Sequence, residues 1–131
     1  MYEVNTACPA APLKFSRAVC FDGNLSKFSI KKDPLSGIYY TLYNRITDPS
    51  VIGDRRLLVL ARSVDLEHWT AAANIIDRRG SSPKEEGFQY VDFEIEGDDI
   101  IFVCRTAQNG ARNFHDANYS TFHRICNFRA L

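Results

Sequence analysis

The sequence predicts an all-β fold, and three observations support this. From Lys27 onward, Gly, Pro, Asn and Asp interrupt the chain at intervals of about eight to twelve residues. The segments between them are rich in β-branched and aromatic residues, which strands favour. Several of these segments alternate apolar and polar side chains with a period of two, as a half-buried strand does.

The first predicted hairpin follows Lys27. Phe28–Lys31 alternates apolar and polar residues, and Ile38–Tyr43 is β-branched and aromatic. Between them, Asp33–Gly37 contains Pro34, which fixes φ, and Gly37, which accepts a positive φ. We therefore expect two antiparallel strands joined by a tight turn.

Two further strands complete a first unit. After a polar connection over Thr47–Arg55, the run Arg56–Ser63 is apolar enough for a strand covered on both faces. A turn over Asp65–His68 precedes a fourth strand from Trp69 to Ile76. A helix over 57–66 is the rival interpretation, but the flanking turns leave too little length. Four antiparallel strands in about fifty residues are typical of one β-propeller blade.

A second, shorter unit follows a polar loop over 77–87. Alternation predicts a strand over Phe88–Glu96, and the turn at 97–99 leads to a strand over Ile100–Arg105. A polar loop over 107–118 precedes a last strand over Ser120–Phe128. We expect a partial β-propeller of about one and a half to two blades: residues 1–24 as a remnant of a preceding blade, 25–77 as one full blade and 88–128 as an incomplete one. Because blades bury their faces only against neighbours in a closed ring, such a piece suits a longer parent chain.

Composition excludes several classes of partner. The chain has 45% hydrophobic and 24% charged residues, as soluble globular domains do. Its 16 basic and 16 acidic residues give no net charge, so we expect no nucleic-acid partner. No apolar run reaches the ~20 residues that span a bilayer, and Met1–Leu13 lacks the pattern of a secretory signal. The compartment stays open.

The four cysteines are Cys8, Cys20, Cys104 and Cys126. Their spacing matches no metal-binding pattern, so we expect no metal site and no cofactor. A disulfide or a reactive thiol is one interpretation. The other is four small, buried apolar side chains, which Cys104 favours because it lies within an apolar run.

The segment Ser63–Trp69 carries a family resemblance. Ser63, Asp65, Leu66 and Trp69 form a Ser-x-Asp-Leu-x-x-Trp pattern. It resembles a turn of propeller glycosidases of the arabinanase and invertase type, and also a shortened Asp-box of sialidases, with Glu67 in place of the box glycine. The regions 28–43, 87–107 and 113–128 look like the C-terminal blades of sialidase-like (BNR-repeat) glycoside hydrolases. The resemblance implies a carbohydrate substrate, hydrolysis of terminal glycosidic bonds and a site at the propeller axis.

The candidate catalytic residues are Asp92, His115 and Asp116. Asp92 lies between Val91 and Phe93 on the strand expected to line the axis, where a carboxyl group can serve as acid or base. The alternative is that Tyr90, Asp92, Glu94 and Glu96 form a plain polar face. His115 and Asp116 pair as base and orienting group only if the chain turns there, since neighbours in a strand point to opposite faces. An Asx-turn with an exposed histidine is the alternative there.

Other polar residues are candidates for substrate binding. Arg105 ends the inner hairpin, faces the loop over 107–118 and is placed to contact a substrate anion. Gln89, Asn118 and Tyr119 are the remaining candidates. A salt bridge is the alternative use of Arg105.

Three hypotheses for function follow. The first is a fragment of a sialidase-like glycoside hydrolase, inactive alone because its site draws on absent blades. The second is a non-catalytic carbohydrate-binding or repeat-interaction module. The third is a truncated product with no independent function, which self-associates through exposed blade edges.

Overall fold

The computed structural model describes residues 1–51 and 53–131. In this part of the chain nine strands and one short 3-10 helix form. The strands are β1 (Tyr2–Glu3), β2 (Lys14–Phe15), β3 (Ile30–Lys32), β4 (Tyr39–Asn44), β5 (Leu57–Ser63), β6 (Thr70–Asp77), β7 (Gly87–Glu96), β8 (Asp99–Ala107) and β9 (Tyr119–Ile125), and the helix is Phe128–Ala130.

The strands form antiparallel sheets whose order follows the chain. The first main sheet has the order β3-β4-β5-β6 and the second has the order β7-β8-β9, while β1 and β2 form a small separate pair. No α-helix occurs among the described residues, and no sheet there closes on itself. The predicted all-β class is therefore confirmed.

The predicted strands agree with the observed ones to within about two residues at most ends. The helix considered over 57–66 is wrong, because β5 pairs with β4 on one side and β6 on the other. The last strand ends at Ile125 rather than Phe128. Asn127 adopts a left-handed conformation with φ of 50°, which turns the chain so that Phe128 enters the core.

One apolar core lies between the two main sheets. The first sheet contributes residues of β4 and β5, and the second contributes residues of β7, β8 and β9. Phe128 packs edge-on against Tyr40, with ring centroids 4.9 Å apart. The fully buried side chains of this core are Tyr40, Leu42, Leu58, Leu60, Phe93, Phe102, Ile100 and Phe128.

The other face of the first sheet carries a smaller cluster at the Ser63–Trp69 turn. The Asp65 carboxylate accepts hydrogen bonds from the backbone N–H groups of Glu67 and His68, both at 2.8 Å. The Trp69 indole donates to the Leu66 carbonyl at 3.1 Å, and its ring packs on Phe21. These hydrogen bonds and the ring contact stabilise the turn.

The clean alternation expected over 88–96 is wrong at one point. The register of β7 against β8 shifts between Gln89 and Asp92, and Tyr90 has φ of 54°. This is a β-bulge, which adds residues to one strand and redirects a side chain. Tyr90 therefore does not continue the exposed face of Asp92 and Glu94.

Polar contacts join the first strands of the two sheets. Ser29 donates to Asp92 at 3.2 Å, and Lys31 pairs with Glu94. The buried Asn44 side chain donates to the Phe88 carbonyl at 2.7 Å. These contacts place β3 and β4 beside β7, and with the shared core they set the arrangement of the sheets.

The cysteines are all free, and the structure corrects one prediction about them. Cys104 is buried, as expected, but Cys8, Cys20 and Cys126 are exposed. The interpretation of four buried apolar thiols is therefore wrong for three of them, because they lie in irregular segments outside the two sheets. Among the described residues, no helix has the length and apolarity needed to cross a membrane.

Candidate functional site

The loop between β8 and β9 brings His115 and Asp116 into contact. Asn113 accepts hydrogen bonds from the backbone N–H groups of both residues, at 2.8 Å and 2.7 Å. This Asx-turn bends the chain, so the neighbouring side chains meet, with His115 Nδ1 3.3 Å from an Asp116 oxygen. Hydrogen bonds from Asn113 and His115 lower the pKa of Asp116, which keeps this carboxylate ionised beside the imidazole.

Two side chains hold this loop against the second sheet. The fully buried Gln89 amide donates to the carbonyls of Phe114 and His115 at 3.0 Å and 2.8 Å. Arg105 donates to the His115 carbonyl at 3.1 Å. The positions of His115 and Asp116 are therefore set by strands β7 and β8 rather than by the loop alone.

The β-bulge directs the Tyr90 side chain toward His115. Its hydroxyl lies 3.2 Å from His115 Nε2, and the two rings meet edge to face with centroids 6.1 Å apart. The tyrosine hydroxyl and the Asp116 carboxylate thus engage opposite nitrogens of one imidazole.

Three cationic side chains surround the Tyr90 ring. The guanidinium carbons of Arg55 and Arg105 each lie 5.2 Å from its centroid, and the Lys27 ammonium lies 5.6 Å from it. Arg55 is also 5.4 Å from the ring centroid of Phe114. These distances are in the range of cation–π contacts. The Tyr90 cluster, as we call it, consists of Lys27, Arg55, Tyr90, Arg105, Phe114 and His115.

Arg55 is the most unusual member of the cluster. It is only 6% exposed, and its Nη2 donates to the Leu25 carbonyl at 3.0 Å. Its Nε and Nη1 are buried and have no hydrogen-bond partner among the described residues. None of the ion pairs in the described part of the chain includes Lys27, Arg55 or Arg105. Burying a charge without an ion pair is costly, and an anion bound at the exposed Lys27 and Arg105 would offset part of that cost.

The structure brings some of the predicted site residues together and separates others. His115, Asp116, Arg105 and Gln89 meet at one end of the second sheet, and the predicted turn at 115–116 is present. Asp92 lies elsewhere: Val91 and Phe93 are buried on the opposite face of β7, so Asp92 is exposed and bonds to Ser29.

The remaining two candidates lie next to this loop. The Asn118 amide closes it by exchanging hydrogen bonds with the Gln108 backbone, at 3.2 Å and 2.8 Å. Tyr119 begins β9 opposite Thr106 and is largely exposed. Neither side chain contacts the Tyr90 cluster directly among the described hydrogen bonds and ring contacts.

Sequence reasoning missed Lys27, Arg55, Tyr90 and Phe114 as members of the site. Arg55 stands in the run Asp54-Arg55-Arg56, where Arg56 pairs with Asp54 at 2.8 Å and Arg55 does not. Nothing in the sequence distinguishes these two arginines. The only feature that could have pointed to Arg55 is its position beside the glycine-containing connection before β5, and basic residues on many solvated surfaces have similar positions.

No protein-family model, curated protein or solved structure matches this chain. The chemistry of the site therefore rests on the contacts described above.

Proposed function

We propose that the chain is part of a β-propeller glycoside hydrolase that cleaves terminal glycosidic bonds, and that the Tyr90 cluster contacts an acidic sugar. The observation that carries the proposal is the set of three cations around Tyr90, with no carboxylate partner among the described residues. A carboxylate-bearing sugar would supply the missing charge and hydrogen-bond acceptors.

The arrangement of the sheets supports the propeller. Two antiparallel sheets follow each other in the chain and pack face to face over one core. Their first strands, β3 and β7, are linked by Ser29–Asp92 and Lys31–Glu94 contacts, as innermost strands of adjoining blades would be. A ring needs further blades, so we expect binding without turnover from this chain alone.

The rings of the cluster complement its charges. The exposed Arg105 presents a planar guanidinium group, which can hold a carboxylate through paired hydrogen bonds, and the buried Arg55 adds positive charge beside the same ring. The faces of Tyr90 and Phe114 offer apolar surface against which the C–H groups of a sugar ring can pack. A neutral sugar would contact only the ring faces and not the cations, so the cluster should bind acidic sugars more tightly than neutral ones.

His115 supplies the acid/base chemistry in this proposal. Asp116 orients the imidazole through Nδ1, while Nε2 faces the Tyr90 hydroxyl. A glycosidase also needs a nucleophile or a second acid/base group on the other side of the scissile bond. In the parent protein that group would come from another blade.

The proposal can be tested by NMR titration of the chain with sialic acid, glucuronic acid and glucose. We expect shifts of the Tyr90, Arg105 and His115 resonances with the two acids, and at least tenfold weaker binding after Arg105→Met. Arg79→Met is the matched control, because Arg79 is exposed and pairs with Asp77. Equal binding of glucose and the acids would contradict the proposed acidic-sugar site. Turnover of fluorogenic glycosides by the isolated chain would contradict the expectation that further blades are needed for catalysis.

A non-catalytic carbohydrate-binding module is the second candidate, and one cavity favours it. This cavity of about 650 Å³ on the first sheet is lined by Phe21, Tyr43 and Trp69. At its edge the Asp22 carboxylate accepts hydrogen bonds from Tyr43 and Arg45 at 2.6 Å and 2.7 Å. Aromatic rings beside polar groups suit sugar binding. Trp69 is the only tryptophan, so quenching of its fluorescence by neutral sugars would favour this candidate.

A further inference from the structure

Strand β9 forms an open edge of the second sheet. Over the described residues it pairs with β8 alone, so the second sheet has three strands where the first has four. Its outward-facing Phe122 is 64% exposed and stands beside Val103 of β8, which is 49% exposed. Open edges with exposed apolar residues are sites of strand pairing between chains.

The sequence of β9 is complementary to itself when two copies run antiparallel. Centring the pairing on Phe122 places Phe122 opposite Phe122, Thr121 opposite His123, Ser120 opposite Arg124 and Tyr119 opposite Ile125. The Phe122–Phe122 pair is aromatic and the Tyr119–Ile125 pair joins an aromatic to a β-branched residue, two kinds of pair that stabilise neighbouring strands. The other two pairs are polar, and no two like charges face each other in this register.

Other registers fit less well. Residues opposite each other in the pair must point to the same face of the sheet, because side chains alternate along a strand. The register can therefore change only in steps of two residues, and each step moves the centre of symmetry by one residue. Centring on His123 puts two histidines opposite each other and Phe122 opposite Arg124. Centring on Thr121 puts Phe122 opposite Ser120. Phe122 is therefore the best centre of symmetry.

Electrostatics do not oppose this contact. Arg124 already pairs with Glu96 and Asp99 in its own sheet, so the two copies of Arg124 do not face each other as free charges. The chain as a whole has no net charge, which removes long-range repulsion between copies.

We propose that two copies of this chain pair through β9 about a two-fold axis at Phe122, which gives one continuous six-stranded sheet. Such an isologous contact is closed: each copy uses its only β9 edge, and association stops at the dimer. This inference concerns the chain as it stands and is independent of sugar binding at the Tyr90 cluster.

Light scattering coupled to size exclusion tests the proposal. We expect the wild-type chain at twice its mass of 14.9 kDa, and Phe122→Lys and Phe122→Glu each at 14.9 kDa. Because the axis passes through Phe122, an equimolar mixture of the two variants should again form a dimer, now with opposite charges facing each other. Val64→Lys, at a residue 75% exposed on the Ser63–Trp69 turn, is the control and should remain dimeric.

Each of the other outcomes would overturn part of the proposal. A monomeric wild type, or a dimeric Phe122→Lys variant with unchanged circular dichroism, excludes β9 as the interface. Open-ended aggregation of the wild type excludes a closed two-fold contact. Monomeric variants that fail to associate on mixing exclude the register centred on Phe122.

Discussion

At the scale of single residues, the Asp33 carboxylate connects the first main sheet to the C-terminal 3-10 helix. It is fully buried and accepts hydrogen bonds from Arg129 Nε and Nη2 at 2.8 Å and 2.7 Å. The guanidinium of Arg129, assisted by bonds from Ser36 and Leu35, holds the pKa of Asp33 well below its usual range despite burial. The pair ties the turn between β3 and β4 to the 3-10 helix at the C-terminal end of the chain.

Replacement of Arg129 should therefore destabilise the protein. Arg129→Met leaves a buried carboxylate without its cation, so we expect a loss of about 2 to 4 kcal/mol in the free energy of unfolding. Arg17→Met, which removes an exposed pair with Glu67, should change it by less than about 1 kcal/mol. Urea denaturation of the three proteins at pH 7 measures both effects, and similar values for the two variants would contradict the structural role of Asp33–Arg129.

The same pair predicts a dependence on pH. Because the folded pKa of Asp33 is depressed, its contribution is present above the unfolded pKa of about 3.9 and is lost as the pH falls below it. Unfolding free energy measured from pH 5 to pH 2 should fall more steeply for the wild type than for Arg129→Met. Parallel curves would show that Asp33 does not depend on Arg129.

At the scale of elements, Gly87 decides how closely the loop before β9 approaches β7. A Cβ built at Gly87 would lie 3.0 Å from the Phe114 carbonyl oxygen and 3.4 Å from Arg55 Cβ. Both contacts belong to the wall of the Tyr90 cluster, and the backbone oxygen cannot move aside without shifting the loop.

Gly87→Ala should destabilise the chain by about 1 to 3 kcal/mol through overpacking. Gly80→Ala is the matched control, because a Cβ there meets nothing within 4 Å, and we expect no loss of stability from it. Thermal unfolding followed by circular dichroism measures the difference. An unchanged unfolding temperature for Gly87→Ala would mean that the loop is not held against β7 as described.

The β8–β9 pair contains a histidine whose protonation opposes folding. His123 stacks on Phe102 with centroids 4.7 Å apart, and its Nε2 lies 2.7 Å from the Thr121 hydroxyl. Burial lowers the pKa of His123. The folded state therefore binds fewer protons there than the unfolded state, and stability falls as the pH drops below the unfolded value of about 6.5.

Two histidine variants should respond to pH with opposite signs. His123→Gln removes a group with a depressed pKa, so unfolding free energy should fall less than in the wild type between pH 7.5 and pH 5. The pKa of His68 is raised by the Asp65 carboxylate, so its contribution is larger at low pH. His68→Gln should therefore steepen the fall. Denaturation at fixed protein concentration across this range tests both, and equal slopes would contradict them.

At the scale of the whole molecule, the two main sheets should unfold together because they share one core. Phe102 of β8 is almost fully buried among residues from both sheets, whereas Trp69 reports on the far side of the first sheet. Phe102→Ala should cost about 3 to 5 kcal/mol. The transitions followed by Trp69 fluorescence and by far-ultraviolet circular dichroism should shift by the same amount. If Phe102→Ala leaves the midpoint of the transition followed by Trp69 fluorescence unchanged, the two sheets unfold separately.

The sequence by itself determined the class of fold and most of its strands. Period-two alternation and turn residues are local properties, so they identified β3 to β9 and the turns at Asp33–Gly37 and Gly97–Asp99. The Ser63–Trp69 turn could also be predicted, since the hydrogen bonds that shape its backbone are formed within seven residues. The Asx-turn that pairs His115 with Asp116 is of the same kind.

Only the tertiary structure decided which charged residues form a site. The bulge at Tyr90 depends on pairing with β8, and the burial of Arg55 depends on Phe88, Phe114 and Gly87, which are distant in the chain. Asp92 and Tyr90 are two residues apart and would share one face of a regular strand, yet the bulge gives their side chains different surroundings. A pattern along the chain indicates the periodicity of one element. The site forms where separate strands and loops meet, and a local pattern does not predict which elements those are.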